Sequence, residues 1–320
     1  MKITITHVLA LTLLFISCSD DNDTEIEGPT SSDDNKWAQS IGTASLNMQS
    51  LITVGDYNLA GGKTGTYLST DKAENYILSN TGNDDVGPTR GFTSDGTYIY
   101  TCTSQGVYRS ADNGATWISK SNGLTNLLSS GITFTSPYLI VVGPTGVFRS
   151  NDQGENWVSA GLVGTDVRCV TSMQHHIFVG TNGAGLYSST DWGETWTPIN
   201  NGLSGTKFRA IESKGTTLFA GGETGTGVFR STDSGANWTL LSGGLPSGSY
   251  RGFASNSQLI VAGSFGAGVF YSTDNGDTWS TINEGLLDLT IFDVALNENY
   301  IVVATNSKGV FRYPLSDISN

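Results

Sequence analysis

Four of the eight arginines in this chain recur at one position of an internal repeat, and their chemistry is the most suggestive in the sequence. The equivalent positions, one in each repeat unit, are Gln49, Arg90, Ser130, Arg168, Arg209, Arg251 and Asp293, here called the arginine column. Each arginine is a planar fork that holds a carboxylate or phosphate through two parallel hydrogen bonds. Four such cations around one opening repel one another, so the column predicts a site for an acidic ligand. The alternative is internal pairing with Asp166, Glu212 and Asp293.

Carboxylates form a second candidate set, because two facing acids are the machinery of glycoside hydrolysis. Asp293 is the one acid of the column, and Asp166 is its best partner from a nearby loop. If the chain is an enzyme, these two residues are the predicted catalytic pair. However, connections such as residues 143–146 are minimal, and short loops do not build a polysaccharide cleft. The adjacent His175 and His176 suit neither a metal site nor a catalytic relay.

A repeat of about forty residues must position these side chains. Its signature, Ser-x-Asp-x-Gly-x-x-Trp, occurs five times, and a sixth copy at Ser69 lacks the glycine and replaces the tryptophan with tyrosine. From Asp71 onward the aspartates step by 41, 40, 39, 42 and 41 residues. Aspartate caps a turn, glycine permits a positive φ, and tryptophan buries a large ring. We therefore predict structural roles for Asp112, Asp152, Asp191, Asp233 and Asp274, and for Trp117, Trp157, Trp196, Trp238 and Trp279.

The rest of each unit predicts short strands and no helices. The Ser-x-Asp-x-Gly-x-x-Trp signature is here called the box. Two alternating apolar runs and the segments flanking the box make four strands per unit, which is typical of propeller blades. The 41 glycines and the low share of charged residues, 14%, fit many strands joined by tight turns. The last unit ends at Tyr313 without a box, while residues 37–40 form an unpaired strand at the start. Pairing these two segments removes both free edges. The predicted fold is an all-β, seven-bladed β-propeller of four-stranded antiparallel blades.

The repeat resembles the Asp-box, or BNR, repeat of sialidases, sortilin-type receptors, xyloglucanases and photosystem II assembly factors. The resemblance covers residues 37–320 and implies that the boxes lie on the rim away from the ligand face. The seven blades and short loops are most similar to the photosystem II assembly factors, which implies a rigid disk that docks proteins through one face. The column superficially matches the sialidase arginine triad. The Phe-Arg-Ile-Pro type motif is absent, however, and Tyr250 should point away from the channel.

The first residues predict export. Lys2 and an apolar run over residues 3–16 are typical of a secretory signal, so residues 1–17 are predicted to be a lipoprotein signal peptide. The ending Phe-Ile-Ser-Cys resembles the lipobox of bacterial lipoproteins, which implies lipidation of Cys18. Residues 18–36 are acidic and predict a disordered tether, whose Ser-Asp-Asp start resembles the surface-export signal of Bacteroidota lipoproteins. We expect anchoring to the outer membrane and exposure at the cell surface.

Charge and cysteine content exclude two classes of protein. The net charge of −13 provides no basic field for a phosphate backbone, so nucleic acid is not a predicted partner. Three cysteines, one of them the predicted lipidation site, form no disulfide framework, and we expect Cys102 and Cys169 to be buried as small apolar side chains.

The leading hypothesis is a non-catalytic, surface-anchored, monomeric binding propeller that engages a protein or an acidic glycan at the channel mouth. The alternative is a glycoside hydrolase of sialidase or xyloglucanase type. A third hypothesis, sugar capture for a glycan-uptake system, uses the same site. We predict no metal and no cofactor.

Overall fold

The computed structural model describes residues 36–81 and 87–318. The predicted signal peptide, the lipidation site Cys18 and residues 18–35 of the predicted tether lie outside them. The described residues form seven four-stranded antiparallel sheets, and their one helical element is a 3₁₀ turn at Leu315–Asp317. No helix among them is long and apolar enough to cross a bilayer. The predicted all-β, seven-bladed propeller is therefore confirmed.

The strands follow one another blade by blade, after an isolated first strand, β1 (Ala38–Gln39). Blade one contains β2 (Met48–Val54), β3 (Tyr57–Gly62), β4 (Gly65–Ser69) and β5 (Ile77–Leu78). Blade two contains β6 (Thr89–Ser94), β7 (Ile99–Thr103), β8 (Gly106–Ser110) and β9 (Ile118–Ser119). Blade three contains β10 (Gly131–Thr135), β11 (Tyr138–Gly143), β12 (Gly146–Ser150) and β13 (Val158–Ser159). Blade four contains β14 (Val167–Met173), β15 (His176–Thr181), β16 (Leu186–Ser189) and β17 (Thr197–Pro198).

The second half of the ring repeats this order. Blade five contains β18 (Phe208–Lys214), β19 (Thr217–Gly222), β20 (Val228–Ser231) and β21 (Thr239–Leu241). Blade six contains β22 (Tyr250–Ser255), β23 (Ile260–Ser264), β24 (Gly268–Ser272) and β25 (Ser280–Thr281). Blade seven contains β26 (Ile291–Leu296), β27 (Tyr300–Thr305), β28 (Val310–Pro314) and β1.

Burial across a blade explains the composition of its strands. The second strand, as in β11 with its Tyr-Leu-Ile-Val-Val-Gly sequence, is almost wholly buried because neighbouring blades cover both faces. The short fourth strand, as in β13, is exposed. The first strands of successive blades contact one another around the ring, and β26 contacts β2. The first strands therefore line the central channel.

The ring closes through the first strand, as predicted. β1 pairs antiparallel with β28, with Ala38 opposite Arg312. Trp37 is buried, its ring lies 5.2 Å from that of Tyr313, and its indole N–H donates to the Ile282 carbonyl. β1 thus completes the four-stranded sheet of blade seven and covers the outer edge of β28.

Each box is a turn whose carboxylate is fully occupied. In blade three, the Ser150 hydroxyl donates to Asp152 Oδ1 at 2.7 Å, and the Asn156 N–H and side-chain amide donate to the two carboxylate oxygens at 3.0 and 2.9 Å. These bonds, led by that of Ser150, lower the pKa of Asp152 to about 2. Gln153 and Gly154 have φ of 62° and 84°, as the turn requires. The same bonds recur at the other four intact boxes, so these aspartates serve the turn.

The box turns also join neighbouring blades. Arg149 on β12 donates to the Trp192 carbonyl in the box of blade four at 2.9 Å and pairs with Glu194 at 3.1 Å. Each third-strand arginine has such a partner in the following blade: Arg109 with Glu155, Arg149 with Glu194, Arg230 with Asp277 and Arg312 with Glu74. These four arginines therefore brace the blades against one another.

The antiparallel order defines two faces. The upper face carries the starts of the first strands, the turns between second and third strands, and the connections that lead into each new blade. The lower face carries the turns between first and second strands and the boxes. The arginine column belongs to the upper face.

Candidate functional site

A β-bulge at the start of the first strand places the column at the channel mouth. In β14, Val167 pairs with Thr181 and Cys169 with Gly180, so Arg168 is the extra, unpaired residue. A bulge redirects a side chain out of the regular alternation. The same register shift occurs in six blades, at Gln49, Arg90, Arg168, Arg209, Arg251 and Phe292. In blade three, Ser130 directly precedes β10.

The seventh position of the column is Phe292 and not Asp293 as predicted. Asp293 lies 16 residues before the glycine that opens the third strand, which is the spacing found in blades one to three. In blade seven, three residues, 306–308, separate the second strand from that glycine, whereas blades one to three have two. The extra residue moves the equivalence back by one. A signal was available in the sequence, because a large apolar residue precedes the column position in blades five and six, as Ile291 precedes Phe292. The structure buries all three of these apolar residues, Phe208, Tyr250 and Ile291.

The column side chains surround a small cavity of about 150 Å³. Its lining residues are Gln49, Arg90, Ser130, Arg168, Arg209, Arg251 and Phe292, here called the mouth. A second cavity of about 180 Å³ continues down the channel and is lined in part by Asp293. The structure thus brings all four predicted arginines together at one opening.

Two of the four arginines are neutralised by acids on the upper face. Arg168 forms an ion pair with Asp166, whose carboxylate also accepts a hydrogen bond from the Asn182 amide at 2.9 Å. Arg209 pairs through Nε with Glu223, which lies in the turn between β19 and β20. The pairing of Asp166 follows the internal-pairing alternative, whereas Glu223 was not predicted. Its position directly after Gly222, in a turn that faces the column, was the signal available in the sequence.

Arg90 and Arg251 have no acidic partner among residues 36–81 and 87–318. The Nε atoms of both, like that of Arg168, are buried and, within that part of the chain, make no hydrogen bond. Burial and the neighbouring charge of Arg209 lower the pKa of Arg251, although an arginine remains protonated at any ordinary pH. An unpaired buried donor is costly, so a ligand oxygen that accepts from these N–H groups would be stabilised.

Two aromatic rings hold Arg251 in place. Its guanidinium carbon lies 3.6 Å from the centroid of Phe265 and 5.2 Å from that of Phe292. The two rings pack edge to face at 5.5 Å. Such stacking attracts the cation to the ring faces and restricts its rotamers, leaving the donor edges of the fork free. Sequence reasoning missed both phenylalanines because Phe265 lies in a turn and Phe292 was assigned one position away from the column.

Two carboxylates lie in the channel wall below the mouth. Asp293 accepts the Leu51 N–H at 2.8 Å and the Val294 N–H at 2.9 Å, and burial raises its pKa to about 7. Glu212 accepts the Ser255 hydroxyl at 2.9 Å, and burial, assisted by the charge of Asp293, raises its pKa to about 7. Both side chains are half-buried. Their carboxyl groups ionise near neutral pH and then add negative charge to the channel wall.

The remaining candidates are occupied or lie elsewhere. Asp166 is bound to Arg168 on the upper face, whereas Asp293 is bound to backbone N–H groups in the channel wall, so each of the two acids has a structural partner. The Tyr250 hydroxyl is directed away and donates to the Pro246 carbonyl at 2.9 Å. Within the described residues, no cluster of histidine, cysteine and acidic side chains could hold a metal ion. Cys102 and Cys169 are buried and unpaired, and burial raises the pKa of each thiol to about 12.

Comparison with known families supports the fold. A family model described as the DUF6242 beta propeller domain matches residues 143–284, which span the last two strands of blade three and all of blades four to six. No curated protein matches the chain.

Several solved structures share the architecture at low identity. The GH74 xyloglucanase from Xanthomonas campestris has a TM-score of 0.70 and 15% identity over 88% of this chain and 54% of its own. The GH74 enzyme of Niastella koreensis has a TM-score of 0.66 and 17% identity over 87% of this chain and 44% of its own. The chain thus spans about half the length of these enzymes. YCF48 bound to D1 peptide has a TM-score of 0.65 and 14% identity over 88% of this chain and 98% of its own.

Proposed function

We propose that the protein is a non-catalytic binding propeller that engages an anionic group of a protein or an acidic glycan at the mouth. The observation that carries the proposal is the pair of half-buried arginines, Arg90 and Arg251, that line the mouth and form no ion pair with an acid among the described residues. Arg251 is already oriented by Phe265 and Phe292, so binding does not require it to be ordered first. The peptide-bound YCF48 structure lends support, since that similar propeller binds a peptide.

A glycoside hydrolase is the second candidate, favoured by the similarity to GH74 structures. Hydrolysis needs two carboxyl groups that flank one sugar bond, about 5 to 10 Å apart across an open cleft. In this chain Asp166 is engaged by Arg168 and Asn182, and Asp293 by two backbone N–H groups. These observations favour binding over hydrolysis.

The signal-like residues 1–17 support a second proposal, on the location of the protein. We propose that Cys18 is lipidated and anchors a monomeric propeller to the outer membrane with the domain exposed at the cell surface. Metabolic labelling with a fatty acid tests this, and Cys18→Ala is expected to abolish the label and release the protein from the membrane fraction.

Sulfate binding tests the proposed site, because sulfate is a small anion that stays charged over the working pH range. Calorimetry should show one saturable site, and the Arg90→Ala/Arg251→Ala variant should weaken binding at least ten-fold. Lys72→Ala/Lys214→Ala is the matched control, since it removes the same charge from the lower face. Sulfate affinity equal in the arginine variant and the parent would refute the proposal. Turnover of aryl sialosides or xyloglucan that disappears on Asp293→Asn would instead establish the hydrolase.

A further inference from the structure

The upper face presents apolar side chains beside the mouth. Twelve large apolar side chains are exposed in the described part of the chain. Six of them are on the outer strands or directly after β1, and none is on a described lower-face turn. The other six lie on the upper-face connections and turns, and we call them the apolar rim: Leu127, Leu128, Val163, Phe265, Leu287 and Leu289.

Backbone hydrogen bonds fix the rim against the mouth. The Leu289 carbonyl accepts the N–H groups of Gly266 and Gly268 at 3.1 and 2.9 Å, which ties its segment to the turn that carries Phe265. On the other side, Leu128 precedes Ser129, whose N–H donates to the Thr103 carbonyl at 3.0 Å. These bonds fix two groups of rim residues on the upper face, Leu127 and Leu128 before blade three and Phe265, Leu287 and Leu289 at blades six and seven. Apolar side chains beside a charged opening resemble the mixed composition of protein interfaces.

The mouth lies at the centre of the upper face. Its cavity of about 150 Å³ leads into a second one of about 180 Å³ lined by the same seven residues, so an acidic side chain can enter with its carboxylate toward the arginines. Arg90 and Arg251 lie in blades two and six, so their forks approach an entering group from different sides of the ring. A central charged anchor surrounded by apolar contacts is the arrangement in which protein interfaces concentrate their binding energy.

We propose that the partner is a protein segment whose aspartate or glutamate side chain enters the mouth while apolar residues flanking it cover the apolar rim. This inference rests on the proposed function and chooses between its two ligand classes. Leucine and valine side chains give no hydrogen bonds to sugar hydroxyls, so a glycan would leave the rim uncovered. Charge complementarity and the adjoining apolar surface together favour a peptide.

A peptide selection tests the inference without assuming a sequence. A random twelve-residue library is selected on the immobilised full-length protein and eluted with sulfate. The recovered peptides are expected to share an acidic residue with apolar residues within three positions. Changing that acidic residue to its amide in a synthetic copy should weaken binding at least ten-fold.

Variants of the protein separate the rim from the arginines. Leu128→Ser/Leu287→Ser should weaken the selected peptide ten-fold or more and sulfate at most two-fold, while the outer-strand control Ile118→Ser/Leu240→Ser should change neither. Selected peptides without an acidic residue, or peptide affinity insensitive to the rim variant, would overturn the inference even if the arginine variant abolishes sulfate binding. Tighter binding of polygalacturonate than of any selected peptide would overturn it in favour of a glycan.

Discussion

At the mouth, the side chain of Arg251 contacts two phenylalanine rings and forms no ion pair among the described residues, while Arg168 and Arg209 each pair with one acid. The same residue type at equivalent positions thus has two environments. We propose that the paired arginines stabilise the upper loops and that the unpaired ones bind the ligand. The difference depends on whether an adjoining turn supplies an acid, as Glu223 does.

The buried acids predict that anion binding depends on pH. Because the pKa of Asp293 and of Glu212 is raised to about 7, both take up protons as the pH falls from 8 to 6. The negative charge below the mouth then disappears, so sulfate should bind several-fold more tightly at pH 6 than at pH 8. Calorimetry at the two pH values checks this. Asp293→Asn/Glu212→Gln should bind at pH 8 nearly as the parent does at pH 6, whereas Asp293→Asn alone should lose only part of the pH dependence because Glu212 still titrates. An unchanged pH dependence in the double variant would contradict the assignment.

Asp293 and Glu212 change the free energy of unfolding with pH in the opposite direction to the box aspartates, because their pKa values are raised and those of the box aspartates are lowered. A carboxyl whose pKa is raised in the folded state favours folding most below the pKa of about 4 in the unfolded chain, and this contribution is lost as the pH rises through 7. The stability of Asp293→Asn relative to the parent should therefore rise between pH 4 and pH 8, because only the parent then acquires a buried charge at this position. Urea denaturation at both pH values measures the difference, with Asp288→Asn on the upper face as control.

At the scale of elements, the link between blades is the third-strand arginine and the box that follows it. Arg149 reaches the Trp192 carbonyl, and its partner Glu194 is largely exposed, so the backbone bond contributes most of the free energy. Box aspartates hold each turn in the shape that presents such a carbonyl. The box therefore does two things: it forms the turn between the third and fourth strands, and it binds the preceding blade.

Removing the Arg149 side chain should weaken the contact between blades three and four. Arg149→Ala is expected to lower the free energy of unfolding by about 1 to 2 kcal/mol, because a half-buried carbonyl loses its donor. Urea denaturation gives the value, and exposed Lys72→Ala should lie within about 0.5 kcal/mol of the parent. If Glu194→Ala costs as much as Arg149→Ala, the ion pair and not the backbone bond is the stabilising contact.

At the scale of the whole molecule, ring closure depends on Trp37, which anchors β1 in blade seven. Trp37→Ala would leave a large void in that blade, with an expected loss of about 3 to 5 kcal/mol. It should also free the edge of β28, so size-exclusion chromatography should show larger species. Trp192→Ala is the control, since that ring is only partly buried and lies outside the closing sheet. A fully monomeric Trp37→Ala protein would show that β1 does not protect the edge.

The sequence by itself determined the repeat, the number of blades, the closing strand and the column of arginines, because these depend on local periodicity and turn chemistry. The spacing of the boxes and the unpaired residues 37–40 were enough to count seven blades. What only the tertiary structure decided was the identity of the seventh mouth residue, since the length of one turn and a bulge set the register of β26. Likewise, only the positions of the acids in the folded upper-face loops showed which arginines form ion pairs. Pairing depends on distances across the ring, which no one-dimensional pattern encodes.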